Sequence, residues 1–239
     1  MTGDTRFRAF AELGSTNDWL ADAARQGAPE GQWVRADRQT GGRGRRGRTW
    51  VSEPGNLYAS TLIRLREDDP PAQELGFVAA LALHRALSAW VASARLSLKW
   101  PNDLLMDGAK LSGILLEREG DAVIAGFGVN LAHHPGNVER PAISLSAAGI
   151  AAPSPDSLMQ ALAECWEKEV AGWRSQGFAT VREAWMARAH APGTLLAARL
   201  ANGEDCQGRY DGLDADGALL LRMTDGSVRV IHAGDVFQL

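Results

Sequence analysis

The stretch that decides the fold lies in the middle of the chain and reads LSLKWPNDLLMDGAKLSGILLEREGDAVIAGFGV, residues 96–129. It contains three apolar, strand-like runs at 96–100, 111–117 and 123–129. Turn signals separate them at Asn102-Asp103, Asp107-Gly108 and Gly120-Asp121. Links this short leave no room for a crossover helix, so the runs are predicted to pair as antiparallel strands.

Further helices and strands are predicted on both sides of this stretch. Upstream, a helix begins at Ser15-Thr16-Asn17, whose side chains can cap it, and ends near Gly27. An apolar helix is predicted at about 73–91 because apolar residues recur there at helical spacing. The remaining predicted elements are strands at 32–36 and 57–65 and helices at about 156–176 and 180–190, with a break at Gly177.

The C-terminal part of the chain has a different character. Short strand-like runs alternate there with Asn-Gly and Asp-Gly turns. The runs lie at 194–200, 207–211, 218–223 and 228–231. This spacing predicts a small β-barrel domain at 192–239, after a first domain at 1–191. The predicted fold class is therefore α+β: a mixed, mainly antiparallel sheet packed with helices, followed by a small barrel.

Composition excludes several classes of protein. The 239 residues are 45% hydrophobic and 23% charged, which is ordinary globular usage and argues against disorder, collagen and coiled coils. No apolar run approaches the ~18 residues of a membrane span, and the N-terminus shows no secretory signal. We therefore expect no membrane contact and a cytoplasmic location. The two cysteines, Cys165 and Cys206, are expected to remain reduced thiols.

Positive charge is concentrated in one segment. Residues 35–48 contain six arginines and one acid, a net charge of +5; since the whole chain carries −4, the other residues carry −9. Most of these arginines lie in GGRGRRGR, residues 41–48, inside a predicted loop at 38–55. Loops this long are usually functional, and guanidinium groups on a glycine-rich backbone suit a compact anion such as a carboxylate or phosphate.

Other functions can be considered for this loop. Gly42, Gly44 and Gly47 match G-x-G-x-x-G, but Pro54 follows where a dinucleotide-binding fold needs a helix, so we reject that fold. No Walker A sequence is present. An RNA-binding tract is less favoured because Trp50 is its one stacking aromatic residue. A basic loop without any ligand stays open on these residues alone.

Five motifs together make the interpretation more specific. They are Ser15-Thr16-Asn17, GRGRRGRTW at 42–50, KWPNDLL at 99–105, KLSGILLE at 110–117 and GFGVNL at 126–131. In this order they resemble the catalytic domain of the biotin protein ligases, over about residues 10–235. The resemblance implies a class II synthetase-like domain followed by an SH3-like domain. It also implies an enzyme that joins biotin to ATP and passes the biotinyl group to a lysine of a biotin carboxyl carrier protein domain.

The resemblance implies roles for particular residues. Lys110 and Arg45 are the expected catalytic residues, since their cations can offset the repulsion between the biotin carboxylate and the α-phosphate. The expected biotin-binding residues are Ser15, Thr16, Asn17, Gln39, Gly42, Arg43, Gly44, Arg45, Lys110 and Gly113. The expected ATP-binding residues are Arg45, Arg48, Trp50, Asn102, Asp103, Lys110 and Asn130. Mg2+ is expected to accompany ATP near Asp103, and we expect the protein to have no metal-binding cluster of its own. His133-His134 is interpreted as part of a solvated loop.

Several of these residues also have a purely structural interpretation. Ser15 or Thr16 can simply cap the helix, and Trp50 can be a core anchor. Asp103 lies in a predicted Pro-Asn-Asp turn, where aspartate is common for backbone reasons. Lys110 can be an exposed lysine at a strand end. The sequence leaves these alternatives open.

The resemblance also bears on closure and partners. A reactive acyl-adenylate needs protection from water, so residues 41–50 are expected to close over it, and Gly44→Ala is expected to increase leakage. Because the Ser-Thr-Asn motif begins at residue 15, we expect no winged-helix domain, no DNA binding and a monofunctional ligase. A homodimer formed through a sheet edge is left open. The alternatives are a lipoate or octanoate ligase of the same fold and an anion- or nucleic-acid-binding module without catalysis.

Overall fold

Seven strands form the central sheet of the computed structural model, which describes residues 6–136, 141–200 and 203–238. The strands are β1 Phe7–Leu13, β2 Trp33–Gln39, β3 Leu57–Arg64, β4 Leu96–Lys99, β5 Asp103–Met106, β6 Ala109–Glu119 and β7 Ala122–Val129. Their order across the sheet is β1-β2-β3-β7-β6-β5-β4. β1 and β2 run parallel, and every other neighbouring pair runs antiparallel.

Helices cover both faces of this sheet. They are α1 Thr16–Arg25, α2 Leu75–Leu87, α3 Pro155–Gln176 and α4 Phe178–Met186. Because successive side chains of a strand point to opposite faces, Val34 and Leu62 pack with Leu20 of α1, whereas Trp33 and Ile63 belong to the larger core that contains α2. The sheet, α3 and α4 enclose α2, so nearly all of its residues are buried. None of the helices within the described ranges is long and apolar enough to span a membrane.

A second sheet, of five strands, forms the C-terminal domain. The strands are β8 Leu195–Leu200, β9 Asp205–Leu213, β10 Leu219–Arg222, β11 Val228–Ile231 and β12 Gly234–Gln238. They are antiparallel in the order β11-β10-β9-β8-β12. Across the described part of this domain, no ladder joins β11 to β12, so the predicted barrel is an open sheet.

The turn between β9 and β10 docks the C-terminal domain against the first one. The carbonyl oxygen of Gly217 accepts a hydrogen bond from Trp100 Nε1 at 3.1 Å. Gly217 has a φ of +84°, and a Cβ there would lie 2.7 Å from the Phe77 ring, so glycine is required. Phe77 packs edge-on against Phe178 and Trp185. This aromatic contact holds the C-terminal domain beside the KWPND segment.

Most of the predicted elements are confirmed, with ends shifted by a few residues. The break at Gly177 falls between α3 and α4, where this glycine has a φ of +76°. The apolar helix ends at Leu87, earlier than predicted, and turns carry the chain on to β4. Three strands were not predicted: β1 lies in a polar N-terminal segment, β5 has only four residues between two turn signals, and β12 is short. The predicted turn forms at residues 100–102, whereas Asp103 itself is the first residue of β5, so its assignment to the turn is wrong.

Candidate active site

A cavity of about 560 Å³ lies on the face of the central sheet that carries α1. Residues 113 and 115 of β6 and 126 and 128 of β7 point to this face because strand side chains alternate. The start of α1, the arginine- and glycine-rich loop at 41–50 and the KWPND segment complete the walls, and the C-terminal domain adds part of the rim. We call residues 41–50 the arginine loop. Segments far apart in sequence thus converge on one cavity.

Two lysines share one buried carboxylate beside this cavity. Asp103 Oδ2 lies 2.8 Å from Lys99 Nζ, and Asp103 Oδ1 lies 2.6 Å from Lys110 Nζ. Burial by itself would raise the pKa of Asp103, but the two ammonium groups outweigh it and hold that pKa below its ordinary value. The Lys110 side chain remains 29% exposed and lines the cavity. Lys110 is therefore a positioned cation that faces the cavity, and not a solvated lysine at a strand end.

Arg45 is the arginine of the loop that faces the cavity without an ion pair among the described residues. Among the described residues its side-chain hydrogen-bond partner is Asn102, whose Oδ1 accepts from Arg45 Nη1 at 3.2 Å, and no ion pair with a carboxylate is formed. Burial lowers the pKa of Arg45, yet a guanidinium stays protonated at neutral pH. Asp235 and Asp103 attract Arg45 without forming an ion pair with it, and a partly buried cation that lacks a hydrogen-bonded carboxylate favours an anionic ligand at this position.

Arg43 anchors the first half of the arginine loop to the central domain. Its guanidinium is ion-paired with Asp18 of α1 at 2.6 Å and with Glu117 of β6 at 2.9 Å. The hydrogen bond from Arg43 is the main reason that the pKa of Asp18 is lowered. The charge of Arg43 is thus already matched within the protein, and its predicted contact with biotin stays a prediction.

Arg46 and Arg48 anchor the second half of the loop to the C-terminal domain. Both form ion pairs with Asp235 of β12, which is nearly buried and lines the cavity. Sequence reasoning did not find Asp235, since a single aspartate in an unpredicted strand carries no local signal. The loop is therefore attached to both domains through its arginines.

Three glycines form the floor of the cavity on β6 and β7. A Cβ at Gly128 would lie 2.5 Å from the Trp50 indole, and a Cβ at Gly113 would lie 3.1 Å from it. A Cβ at Gly126 would overlap the side-chain amide of Asn17. Any larger residue would displace one of these two side chains, which explains why glycine occupies these strand positions.

Trp50 lies across this floor and outside the apolar core. It belongs to neither of the two core clusters, and Lys110 Nζ is 5.5 Å from the centroid of its ring, within cation–π range. The indole Nε1 is buried and has no hydrogen-bond partner among the described residues. Trp50 is thus a wall of the cavity, not the core anchor that the sequence left open.

A chain of hydrogen bonds joins the start of α1 to β2 and β3. Gln39 Oε1 accepts from the backbone N–H of Thr16 at 2.9 Å and from its hydroxyl at 3.1 Å. The Ser60 hydroxyl donates to Asn17 Oδ1 at 2.6 Å and lies 2.7 Å from Thr16 Oγ1. Ser15 accepts from a backbone N–H of the first helical turn and also lines the cavity. Capping the helix and lining the site are therefore compatible for Ser15.

Two asparagines brace the backbone around Lys110. Asn102 Nδ2 donates to the carbonyl oxygen of Ile114 at 2.7 Å, and Asn130 Nδ2 donates to that of Ile143 at 3.1 Å. Asn130 Nδ2 also lies 3.4 Å from the carbonyl oxygen of Lys110. Both residues line the cavity, as expected, and both use an amide nitrogen to hold its wall in shape.

The cavity gathers nearly all of the residues that the sequence singled out. Every predicted biotin- or ATP-binding residue lines it except Gly42. Gly42 lies behind the wall, where a Cβ would be 2.6 Å from the carbonyl oxygen of Trp50. Lys99 was missed, although the rarity of lysine in this chain is a signal that could have found it. His134 lies 3.2 Å from the Ser144 hydroxyl, and the described residues contain no group of three His, Cys, Asp or Glu that could hold a metal ion.

A mainly antiparallel sheet that places a lysine–aspartate pair beneath an arginine loop defines a ligase of the biotin and lipoate type. The model of the Biotin/lipoate A/B protein ligase family matches residues 10–131, and that of the Biotin protein ligase C terminal domain matches residues 197–238. The chain belongs to this family and, within it, to the biotin protein ligases. The predicted family and fold class are thereby confirmed.

Named relatives and a solved structure agree with this assignment. The chain is 42% identical over 216 residues to Biotin–[acetyl-CoA-carboxylase] ligase from Paracoccus denitrificans, covering 86% of this chain and 89% of that one. It is 34% identical to the protein of the same name from Mycobacterium tuberculosis, covering 100% of this chain and 91% of that one. A biotin protein ligase from Aquifex aeolicus in complex with biotin and ATP superposes with a TM-score of 0.85 over 98% of this chain and 99% of that one. At 24% identity, this last likeness supports the fold alone.

Proposed function

We propose that this chain is an ATP-dependent ligase that converts biotin to biotinyl-5'-AMP and then transfers the biotinyl group to a lysine of a biotin carboxyl carrier domain. The observation that carries the proposal is that Lys110 and Arg45, two positioned cations, face the same cavity. The relative from Paracoccus denitrificans is named for ligation to acetyl-CoA carboxylase, so the carrier domain of that enzyme is the proposed acceptor.

The first half-reaction requires two anions to approach each other. A carboxylate oxygen of biotin attacks the α-phosphorus of ATP, and pyrophosphate leaves with the electron pair of the broken P–O bond. Two like charges at ~4 Å repel by about 1 kcal/mol in water and about 4 kcal/mol at an effective dielectric constant of 20. Lys110, held by Asp103, and Arg45, held by Asn102, would offset this repulsion in the transition state. This is electrostatic catalysis and needs no proton transfer.

The polar wall at the start of α1 would bind the ureido ring of biotin. A urea has two N–H donors and a carbonyl acceptor, and all three need partners once they are buried. Ser15, Thr16, Asn17 and Gln39 supply hydroxyl and amide groups on this wall. Trp50, which lies over Gly113 and Gly128, would stack on the adenine.

In the second half-reaction the nucleophile comes from the partner. The neutral amine of the carrier lysine attacks the acyl carbon of biotinyl-5'-AMP, the bond from that carbon to the phosphate oxygen breaks, and AMP leaves while the nitrogen loses a proton. The chain therefore needs no covalent nucleophile of its own. The arginine loop, attached to both domains, would retain the intermediate and exclude water until the carrier arrives.

Magnesium is proposed to arrive with the phosphates of ATP, not on a site of the protein. Within the described part of the chain, Asp103 and Asp235 supply the carboxylates that line the cavity, and basic side chains already neutralise both. A direct magnesium ligand at Asp103 does not fit these contacts. No step of the proposal depends on one.

The test is biotin-dependent exchange of labelled pyrophosphate into ATP, with magnesium and without any carrier protein. Parallel reactions contain lipoate or octanoate, which the biotin and lipoate family model leaves as alternatives. Exchange with biotin alone supports the proposal, and transfer of biotin to a purified carrier domain then completes it.

Two results would reject the proposal. Exchange with lipoate or octanoate but not biotin would make the chain a ligase for those acids. No exchange with any acid, from protein shown to be folded, would favour an anion- or nucleic-acid-binding module. Cytoplasmic location, absence of DNA binding and the oligomeric state stay predictions.

A further inference from the structure

Glu117 joins two parts of the cavity that the proposed function treats separately. Its carboxylate lies between the arginine loop and α1. Oε2 accepts a hydrogen bond from Asn17 Nδ2 at 2.7 Å, and Oε1 accepts from Arg43 Nη2 at 2.9 Å and from Arg43 Nε at 3.1 Å. Glu117 ends the KLSGILLE motif but is not among the site residues predicted from the sequence.

The contact with Glu117 decides which way the Asn17 amide faces. An ionised carboxylate only accepts hydrogen bonds, so the NH2 group of Asn17 must face Glu117. The amide oxygen then faces the Ser60 hydroxyl, which donates to it at 2.6 Å. Asn17 also packs over Gly126, where a Cβ would lie 2.3 Å from Asn17 Oδ1, so the glycine leaves the room that the amide needs in this orientation.

The contact with Arg43 holds the first half of the arginine loop. Arg43 contacts both oxygens of Glu117, at 2.9 and 3.0 Å from Nη2, and it is also ion-paired with Asp18, which is largely exposed. The side chain of Glu117 is 34% exposed, so its bonds to Arg43 are better shielded from water than those of Asp18, which is 59% exposed. Glu117 is therefore the better shielded of the two anchors, whereas the hydrogen bonds from Arg43 to Asp18, at 2.6 and 2.8 Å, are the shorter ones.

We propose that Glu117 is a positioning residue that couples recognition of the biotin ring by Asn17 to closure of the arginine loop by Arg43. This rests on the proposed function for the identity of the ring. When a ligand engages the Asn17 amide, the carboxylate is held in the orientation that Arg43 requires, and the closed loop in turn holds the amide. Since such coupling is reciprocal, biotin binding stabilises the closed loop and loop closure strengthens biotin binding by the same factor.

The test compares Glu117→Gln with Glu119→Gln. Glu119 lies two residues further along β6 on the same face, is 36% exposed and is ion-paired with Arg25 at 2.9 Å, outside the cavity. Each variant therefore loses one negative charge from the same strand, at side chains of nearly equal exposure. The measurements are the rate of tryptic cleavage within residues 43–48, with and without biotin, and the KM for biotin and for ATP in pyrophosphate exchange.

We expect Glu117→Gln to be cleaved about tenfold faster than the unaltered protein and to raise the KM for biotin about tenfold, with a smaller change in kcat and in the KM for ATP. Biotin should no longer slow the cleavage. Glu119→Gln should behave as the unaltered protein in all of these measurements. Asp18→Asn, which loosens Arg43 without touching Asn17, should speed cleavage while biotin still protects the loop.

Two outcomes would overturn the coupling. One is unchanged cleavage and unchanged KM for biotin in Glu117→Gln. The other is a raised KM for biotin with full protection of the loop by biotin, because the ring site and the loop would then be independent. If the unaltered protein shows no biotin-dependent exchange, the proposed function fails, whereas cleavage without ligand still reports whether Glu117 holds the loop. Circular dichroism confirms that each variant is folded.

Discussion

The floor of the cavity and the arginine loop above it are held in place by different interactions. The floor lies on the paired strands β6 and β7, and β5 extends this sheet with one register shift at Leu104/Leu105 and brings in Asp103, whose side chain is only 6% exposed. The loop keeps its own shape through backbone bonds such as Gly44 N–H to Arg48 O at 2.7 Å. Ion pairs of arginines that are 32–51% exposed attach it to the rest of the protein.

This difference shows how one site can be both rigid and able to open. Breaking a buried ion pair typically destabilises a protein by about 3–5 kcal/mol, whereas an exposed pair contributes about 0–1 kcal/mol. The floor therefore keeps its charges in position throughout the reaction, and the loop can detach and return at small energetic cost. Four predictions test this division, from the largest expected effect to the smallest.

The first prediction concerns the buried carboxylate of the floor. Asp103→Asn should lower the free energy of unfolding by about 3–5 kcal/mol, because two lysines lose their shared counter-charge. In the unaltered protein the pKa of Asp103 is lower in the folded state than in the unfolded state. The stability that Asp103 contributes is therefore fully present above the ordinary aspartate pKa of about 3.9, and it is lost as pH falls through the folded value. Urea unfolding at pH 7 therefore measures the whole effect. Asp107→Asn, at an exposed turn with Arg95, is the control and should leave stability almost unchanged.

The second prediction concerns the cation that the floor presents. Lys110→Ala should reduce biotin-dependent pyrophosphate exchange by about a hundredfold to a thousandfold, the effect of removing one preorganised charge from a transition state. Asp103 keeps its contact with Lys99, so the protein should remain folded. Lys168→Ala, on the exposed side of α3, should exchange at the normal rate. If the Lys110→Ala variant keeps its exchange activity, Lys110 is not a catalytic residue.

The third prediction compares two glycines of the arginine loop. A Cβ at Gly42 would lie 2.6 Å from the carbonyl oxygen of Trp50, whereas a Cβ at Gly44 meets nothing closer than 3.7 Å. Gly42→Ala should therefore shift the loop and speed release of biotinyl-5'-AMP about tenfold, the lower part of the range for overpacking. The Gly44→Ala variant should release biotinyl-5'-AMP more slowly than the Gly42→Ala variant. Rapid gel filtration of the enzyme-bound intermediate gives both rates, and equal rates would show that crowding beneath the loop does not control closure.

The fourth prediction concerns the attachment to the C-terminal domain. Asp235→Asn removes the partner of Arg46 and Arg48, whose side chains are 38% and 51% exposed. Because the two largely exposed arginines share this one carboxylate, we expect their attachment to contribute about 1 kcal/mol in all, so tryptic cleavage of the loop should speed up about fivefold. Asp211→Asn, which breaks an ion pair with Arg222 in the same domain, is the matched control. A much larger effect would mean that the C-terminal domain holds the loop as firmly as the floor holds its charges.

The pairing of β6 with β7 was predicted from the sequence, whereas β5 and the places of Gly126 and Gly128 in the floor were not, although local signals for them exist. Gly126 and Gly128 flank Phe127 in an apolar run, and the two-residue period of a strand alone places both glycines on one face. The turn signals at Asp107-Gly108 and Gly120-Asp121 likewise set the pairing of the strands beside Lys110. These signals are local, so they can be found without knowing the fold.

The partners of the loop arginines could not be predicted in this way. Arg43 meets Glu117, 74 residues away, and Arg48 meets Asp235, 187 residues away. All four arginines look alike in the sequence, and only packing shows that three are anchors while Arg45 faces the cavity without an ion pair among the described residues.

By itself, the sequence determined the family, the order of most helices and strands, and many of the side chains around the cavity. Motifs and side-chain periodicity involve residues that are close together in the chain, so they can be recognised from the sequence alone. Only the tertiary structure decided which charges are matched, that Trp50 lies over the glycine floor, and that β12 brings Asp235 to the loop. Electrostatic pairing depends on distance in space, and that distance is set by how the two sheets and their helices pack.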